Sequence, residues 1–125
     1  MQIRVYYEDT DFGGVVYHTN YLKYCERARS EMFFKNNTSP VINNAHFVVK
    51  KIECNFLHPA KFGDLLIVDT QIKTLKKASF ILYHEIKKDN RLLFNATITL
   101  VLVKDNKIIR LNNEIINTIL TLWEK

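Results

Sequence analysis

Residues 18–34, HTNYLKYCERARSEMFF, decide the architecture. Tyr21, Cys25, Ala28 and Met32 recur at spacings of four, three and four, which lines one face of an α-helix. Lys23, Glu26, Arg27 and Ser30 fall on the opposite flank. Val15, Val16, Tyr17, Leu22 and Tyr24 widen the apolar face past the stripe of a helix that leans on a core from one side. A helix so apolar over its first half is expected to be wrapped by other structure.

Outward from this helix the pattern changes. After Asn43 the chain reads as strand for sixty residues, with Val48, Ile52, Cys54 and Phe56 on one parity of a strand ending near His58-Pro59. Gly63-Asp64 opens a run from Leu65 to Thr74, and Lys76-Lys77 sits at its turn. A further strand runs from Phe80 to Lys87, then Asp89-Asn90 turns into Leu92 to Val103. Asp105-Asn106 is another hairpin signal, because both residues tolerate the positive φ of tight turns. Residues 2–8 read as a short leading strand. Ile115, Ile116, Ile119, Leu120 and Trp123 have helical spacing behind a cap at Asn112 or Asn113. One long helix followed by hairpin-linked strands is an α+β fold with an antiparallel sheet. A doubly wound parallel sheet would need helices between the strands. An open sheet also leaves an edge to cover, so an oligomer is expected.

The 125 residues suit a single domain over 1–125, with 47% hydrophobic and 25% charged residues, as in globular rather than disordered chains. No apolar run is long enough to span a membrane, and Arg4, Glu8, Asp9 and Asp11 interrupt any secretory core near the start. Cys25 and Cys54 form no Cys-x-x-Cys pair, which suits a reducing cytoplasmic compartment. Eighteen Lys and Arg against thirteen Asp and Glu give a formal charge of +5. Such an excess fits nucleic acid, an anionic surface, a phosphate-bearing small molecule, or a merely solvated lysine-rich face. The aromatic residues fall at core spacing rather than between basic residues on one face, so nucleic-acid binding is not expected.

Common chemistries lack their motifs. There is no G-x-G-x-x-G and no P-loop, so neither dinucleotide nor P-loop chemistry has its glycine cradle. His18, His46, His58 and His84 have no metal-ligand spacing with the cysteines, and no metal or separate cofactor is expected. Ser30 and Ser79 sit in no nucleophile elbow. The dense patch of reactive residue types is Tyr6 to His18, YYEDTDFGGVVYH, with three carboxylates within four residues ahead of the long helix. Asp9, Thr10 and Asp11 suit turn and capping roles near a helix N-terminus. The same place suits chemistry: free N–H groups of the first helical turn form an oxyanion site, and Gly13 and Gly14 admit close backbone approach.

Residues 6–21, YYEDTDFGGVVYHTNY, resemble the signature of the 4-hydroxybenzoyl-CoA thioesterase family of hotdog-fold proteins. The likeness is greatest to the acyl-CoA thioesterase branch associated with the Tol–Pal system of Gram-negative bacteria. It extends through Glu26-Arg27-Ala28-Arg29, His58-Pro59-Ala60 and Gly63-Asp64. It implies a hotdog fold, one central helix wrapped by an antiparallel sheet, acting as a homodimer or homotetramer with sites between subunits. It implies hydrolysis of acyl-CoA or acyl-carrier-protein thioesters, with Asp11 as nucleophile or general base and Asp9 as a structural companion. Backbone N–H groups near Tyr17 and His18 would face the thioester oxygen. It implies His18 and Tyr7 as further catalytic candidates, His18 lining the acyl pocket or orienting water and Tyr7 lining the site, with Gly14 and Tyr17 beside the substrate. Lys76, Lys77 and Ser79 match residues near the CoA nucleotide, with Lys61 a weaker candidate. A noncatalytic module that holds CoA or an envelope partner is the alternative.

Overall fold

The computed structural model describes residues 1–124. After β1 (Gln2–Arg4) comes a short 3-10 turn, Tyr7–Asp9, and then helix α1 (His18–Lys35). The strands β2 (Val41–Ile42), β3 (Ala45–Phe56), β4 (Leu65–Leu75), β5 (Phe80–Lys88), β6 (Arg91–Lys104) and β7 (Lys107–Ile108) follow, with α2 (Asn113–Trp123) last. All pair antiparallel in one sheet of order β1-β4-β5-β6-β3-β2, with β7 beside β6.

The long helix and long strands stand where their periodicities put them. The leading strand is shorter than expected: it stops at Arg4, and Tyr7–Asp9 turn instead. Three of the hairpins have a common cause. Asp89 and Asn90 take φ of 49° and 66°, Asp105 and Asn106 52° and 60°, and Asn43 and Asn44 49° and 66°. Two successive positive φ values make the turn whose twist suits adjoining strands. The Asn43-Asn44 turn adds β2, which strand patterning alone does not reveal. Helix α2 starts at a cap provided by Asn112, whose side chain accepts from the Ile115 N–H at 2.9 Å.

One expectation about facing is corrected. Between Val49 and Lys51 the β3–β6 register shifts. An extra residue in one strand reverses which parity faces the core. Before the bulge Phe47 and Val49 lie opposite the core residues Leu102 and Leu100; after it Ile52, Cys54 and Phe56 lie opposite Ile98, Ala96 and Phe94. Val48, opposite Val101, therefore belongs to the other face. Similar shifts at Ile72/Thr74 in β4 and opposite Ile86/Lys87, where Leu93 is the extra residue of β6, bend β4 and β6, and the curled sheet holds α1 against its inner face. Tyr21, Tyr24, Cys25, Ala28 and Phe33 of α1 are buried in one cluster with Leu82, Phe94, Ile98 and Leu102. Each large side chain so buried contributes roughly 1.5–3 kcal/mol. Trp123 of α2 closes the cluster, stacked on Phe80 at 5.8 Å.

The β3 edge opposite β6 is bare over most of its length. β2 covers only Ala45 and His46. Beyond them Val48, Val49, Ile52 and Phe56 are between 39% and 52% exposed. Among the described residues no helix is long and apolar enough to cross a membrane. Cys25 and Cys54 are both free thiols, and burial pushes the Cys25 pKa up to about 12.

His84 on β5 is the one fully buried polar side chain among the described residues. Arg29 Nη1 on α1 lies 3.1 Å from its Nε2, and Thr70 Oγ1 on β4 lies 2.9 Å from its Nδ1. A guanidinium only donates, so Nε2 accepts and the proton sits on Nδ1 facing Thr70. Burial first, and the Arg29 charge second, bring the His84 pKa down to about 3 from 6.5. The unfolded chain thus takes a proton below pH 6.5 that the folded chain refuses until near pH 3. Stability is therefore complete above that window and falls with acidification through it, by at most about 1.4 kcal/mol per pH unit. Urea unfolding of His84→Gln should show a shallower decline with acidification from about pH 6.5 to about pH 4 than wild type. Identical slopes would remove His84 as the cause.

Candidate active site at the start of the long helix

The loop between the 3-10 turn and α1 is shaped by its own carboxylates. Asp9 Oδ2 accepts from the Tyr6 N–H at 2.9 Å, closing the turn. The Asp9 carbonyl accepts twice, from the Tyr17 N–H and from Asn20 Nδ2, both at 2.9 Å. These two bonds moor the loop to the first turn of α1. Asp9 also lies near the buried phenol of Tyr24, whose pKa rises through burial first and the Asp9 carboxylate second. Its structural role, expected from sequence, has a concrete form here.

Asp11 sits at the tip. Its N–H donates to the Val15 carbonyl at 2.9 Å, and its carbonyl accepts from Gly14 at 3.1 Å. Oδ1 accepts from Gly13 at 2.8 Å and, more weakly, from Val15 at 3.4 Å. These bonds hold the carboxylate in one orientation and leave Oδ2 without a partner among the described residues. Gly14 has φ of +78°, so the tip requires a residue free of Cβ strain. A Cβ on Gly13 would stand 3.3 Å from Asp11 Oδ1 and crowd the carboxylate.

Asp11, Tyr7, Gly14 and Tyr17 line one cleft of about 590 Å³ together with Glu8, Thr10 and Phe12. Phe12 is fully exposed and Tyr7 is 82% exposed. His18 stands beside this cleft, its ring 4.3 Å from that of Tyr17 and edge-on to Phe56 at 6.2 Å. The backbone donors differ by one position from the sequence expectation. The Tyr17 N–H is taken by Asp9, whereas the His18 and Thr19 N–H groups have no acceptor among the described residues. Tyr17 contributes its ring to the cleft, and the free donors at the positive end of the helix dipole begin at His18.

Of the strand end behind this loop, the sequence offered only Lys61, as a weaker candidate near the CoA nucleotide. Val16 donates to the Ala60 carbonyl at 2.8 Å, Ala60 donates to the Tyr21 hydroxyl at 3.0 Å, and Val15 bridges Lys61. The legible sign was the recurrence of His58-Pro59-Ala60 within the resemblance. Lys76, Lys77 and Ser79 lie elsewhere. They form the β4–β5 turn, where Lys76 donates to the Ser79 carbonyl and the Lys77 carbonyl accepts from Leu111. At about 3.3 Å per residue, the eleven residues of β4 separate that turn from the Asp64 end by roughly 35 Å within one chain.

Residues 13–94 fit the model of the thioesterase superfamily. This chain belongs to that superfamily. An acyl-CoA thioesterase, YbgC, of Helicobacter pylori strain 26695 is 56% identical over 86 residues, 69% of this chain. The match spans 65% of that relative's length. The acyl-CoA thioester hydrolase YbgC of Escherichia coli O157:H7 is 37% identical, with 82% of this chain and 79% of the relative covered. The crystal structure of a probable thioesterase from Bartonella henselae superposes with a TM-score of 0.82 at 35% identity, covering 90% of this chain and 97% of that one. The fold is the hotdog fold of these thioesterases.

Gly14→Ala should cost about 1–2 kcal/mol, because its φ forces an L side chain into the left-handed region. Chemical denaturation measures this. An unchanged midpoint would mean that the tip does not need the positive φ.

Proposed function

We propose that the chain hydrolyses acyl-CoA thioesters at Asp11. The observation that carries this is the pairing of an oriented carboxylate, open at Oδ2, with the unpartnered N–H groups of His18 and Thr19 at the start of α1. A carbonyl oxygen placed on those donors would gain roughly 3 kcal/mol from each as its negative charge grows. Asp11 then acts in one of two ways. As general base it takes a proton from water while the water oxygen bonds to the acyl carbon. As nucleophile it bonds to that carbon itself, giving an acyl anhydride that water later cleaves. In both the carbon–sulfur bond breaks and CoA leaves as a thiolate, a stable enough anion that no strong acid is needed. Tyr7, Tyr17 and His18 supply the walls. The free thiols of Cys25 and Cys54 support a cytoplasmic place of work.

The reading includes a second copy of the chain. The bare β3 edge pairs with its symmetry mate, extending the sheet and covering Val48, Val49, Ile52 and Phe56. Antiparallel pairing turns the mate end for end. The partner's Lys76, Lys77 and Ser79 then stand at the same end as Asp11, facing the phosphate-bearing part of CoA. An acyl group on CoA is the substrate; an acyl carrier protein is a second donor of the same thioester.

Asp11→Asn should lower kcat for acyl-CoA hydrolysis by at least about a hundredfold with little change in KM, followed by free-thiol release. Turnover equal to wild type would end the assignment. Ile52→Glu should convert the sedimenting species from dimer or larger to monomer and abolish turnover. A wild-type monomer would refute the shared-edge arrangement.

A further inference from the structure

A cleft of about 460 Å³ opens at the same end of the chain, between the strand end after β3, the turn into β4 and the β5–β6 hairpin. His58, Lys61, Lys88 and Arg91 line it, with Asp64 and Asp89 as the acids. The acids do not neutralise the cations evenly. Lys88 Nζ lies 2.8 Å from Asp64 Oδ1, while Asp64 Oδ2 accepts from the Lys61 backbone N–H at 2.8 Å. Burial works against the Asp64 charge, but those two donors outweigh it and hold its carboxyl below the usual range. Asp64 is therefore fully used by Lys88 and by backbone.

Arg91 has no carboxylate partner among the described residues. Its Nη2 lies 2.9 Å from Nδ1 and 3.2 Å from Nε2 of His58, astride a ring that positions it without cancelling its charge. The Lys61 ammonium forms no salt bridge among the described residues, although its charge reaches the Asp64 carboxylate that Lys88 already holds. Two cations without a salt bridge thus face one concave, half-open space, the arrangement that suits a phosphate. The segment that forms its wall also forms the back of the proposed site: Phe56 touches His18, and Ala60 and Lys61 pair with Val16 and Val15.

We propose that this cleft, through Lys61 and Arg91, binds a phosphate group of the CoA portion of the substrate. The inference rests on the thioesterase reading for its choice of ligand. It places a phosphate contact on the same chain as Asp11, in addition to any contact from the β4–β5 turn of a partner. Lys61 and Arg91 are exposed, so neutral replacements leave the core alone.

The test compares wild type with a Lys61→Gln/Arg91→Gln double variant. In calorimetric titration with adenosine 3′,5′-bisphosphate, the variant should bind about tenfold more weakly at low salt, with the gap closing as salt rises. For acyl-CoA its KM should rise by a similar factor while kcat stays within about twofold. For an acyl thioester of N-acetylcysteamine, which has no phosphate, both parameters should match wild type. Unchanged nucleotide affinity overturns the proposal, as does an equal loss on both thioesters, which would mean a damaged site. A KM rise confined to Lys76→Gln/Lys77→Gln would also overturn it. Absence of hydrolysis by wild type on either thioester would count against the thioesterase reading alone, because nucleotide binding is read separately.

Discussion

The structure depends on the junction at Ala60. This residue is fully buried, its N–H donates to the Tyr21 hydroxyl and its carbonyl accepts from Val16. Tyr21 in turn stacks on Phe94 of β6 at 5.1 Å. One backbone amide therefore ties the start of α1, the loop before it and the centre of the sheet together. Within a low-dielectric interior such bonds are expensive to break, since each loss strands a buried polar group. The Asp11 loop and the cationic cleft stand on opposite sides of this junction and inherit their positions from it.

A second set of buried side-chain hydrogen bonds joins the helix to the sheet. Arg29, His84 and Thr70 form a chain across α1, β5 and β4, one side chain from each element. Its members satisfy one another only when the helix sits in one axial register on the sheet. Apolar contacts among Tyr21, Tyr24, Phe94 and Ile98 supply most of the stabilisation but tolerate sliding. The hydrogen-bonded chain gives them a fixed register. Apolar side chains stay open along the β3 edge and at the aromatic rim of the Asp11 cleft, and also elsewhere, as at Phe34 and Ile108.

Much of this was legible in the residues because local physics decides it. The spacing of Tyr21, Cys25, Ala28 and Met32 announced α1, and the Asp-Asn pairs announced the hairpins through their tolerance of positive φ. The Tyr6-to-Tyr21 signature pointed to the family. Two expectations were overturned. Val48 was grouped on one parity with Ile52, Cys54 and Phe56 because alternation was extrapolated through a bulge, and no local preference at Val49, Lys50 or Lys51 marks one. The Tyr17 N–H was expected among the free donors on the strength of the resemblance, but a carbonyl eight chain positions away claims it.

The amino-acid order determined by itself which segments would be helix and strand, where the chain would reverse, and which carboxylates would crowd the helix start. These are consequences of backbone sterics and of side-chain periodicity within a few residues. Only the tertiary structure decided which Asp11 oxygen stays open, which N–H groups remain unclaimed, and that His58, Lys61 and Arg91 meet around one hollow. Those outcomes depend on contacts between positions tens of residues apart, where a shift of one residue in strand register exchanges one set of neighbours for another.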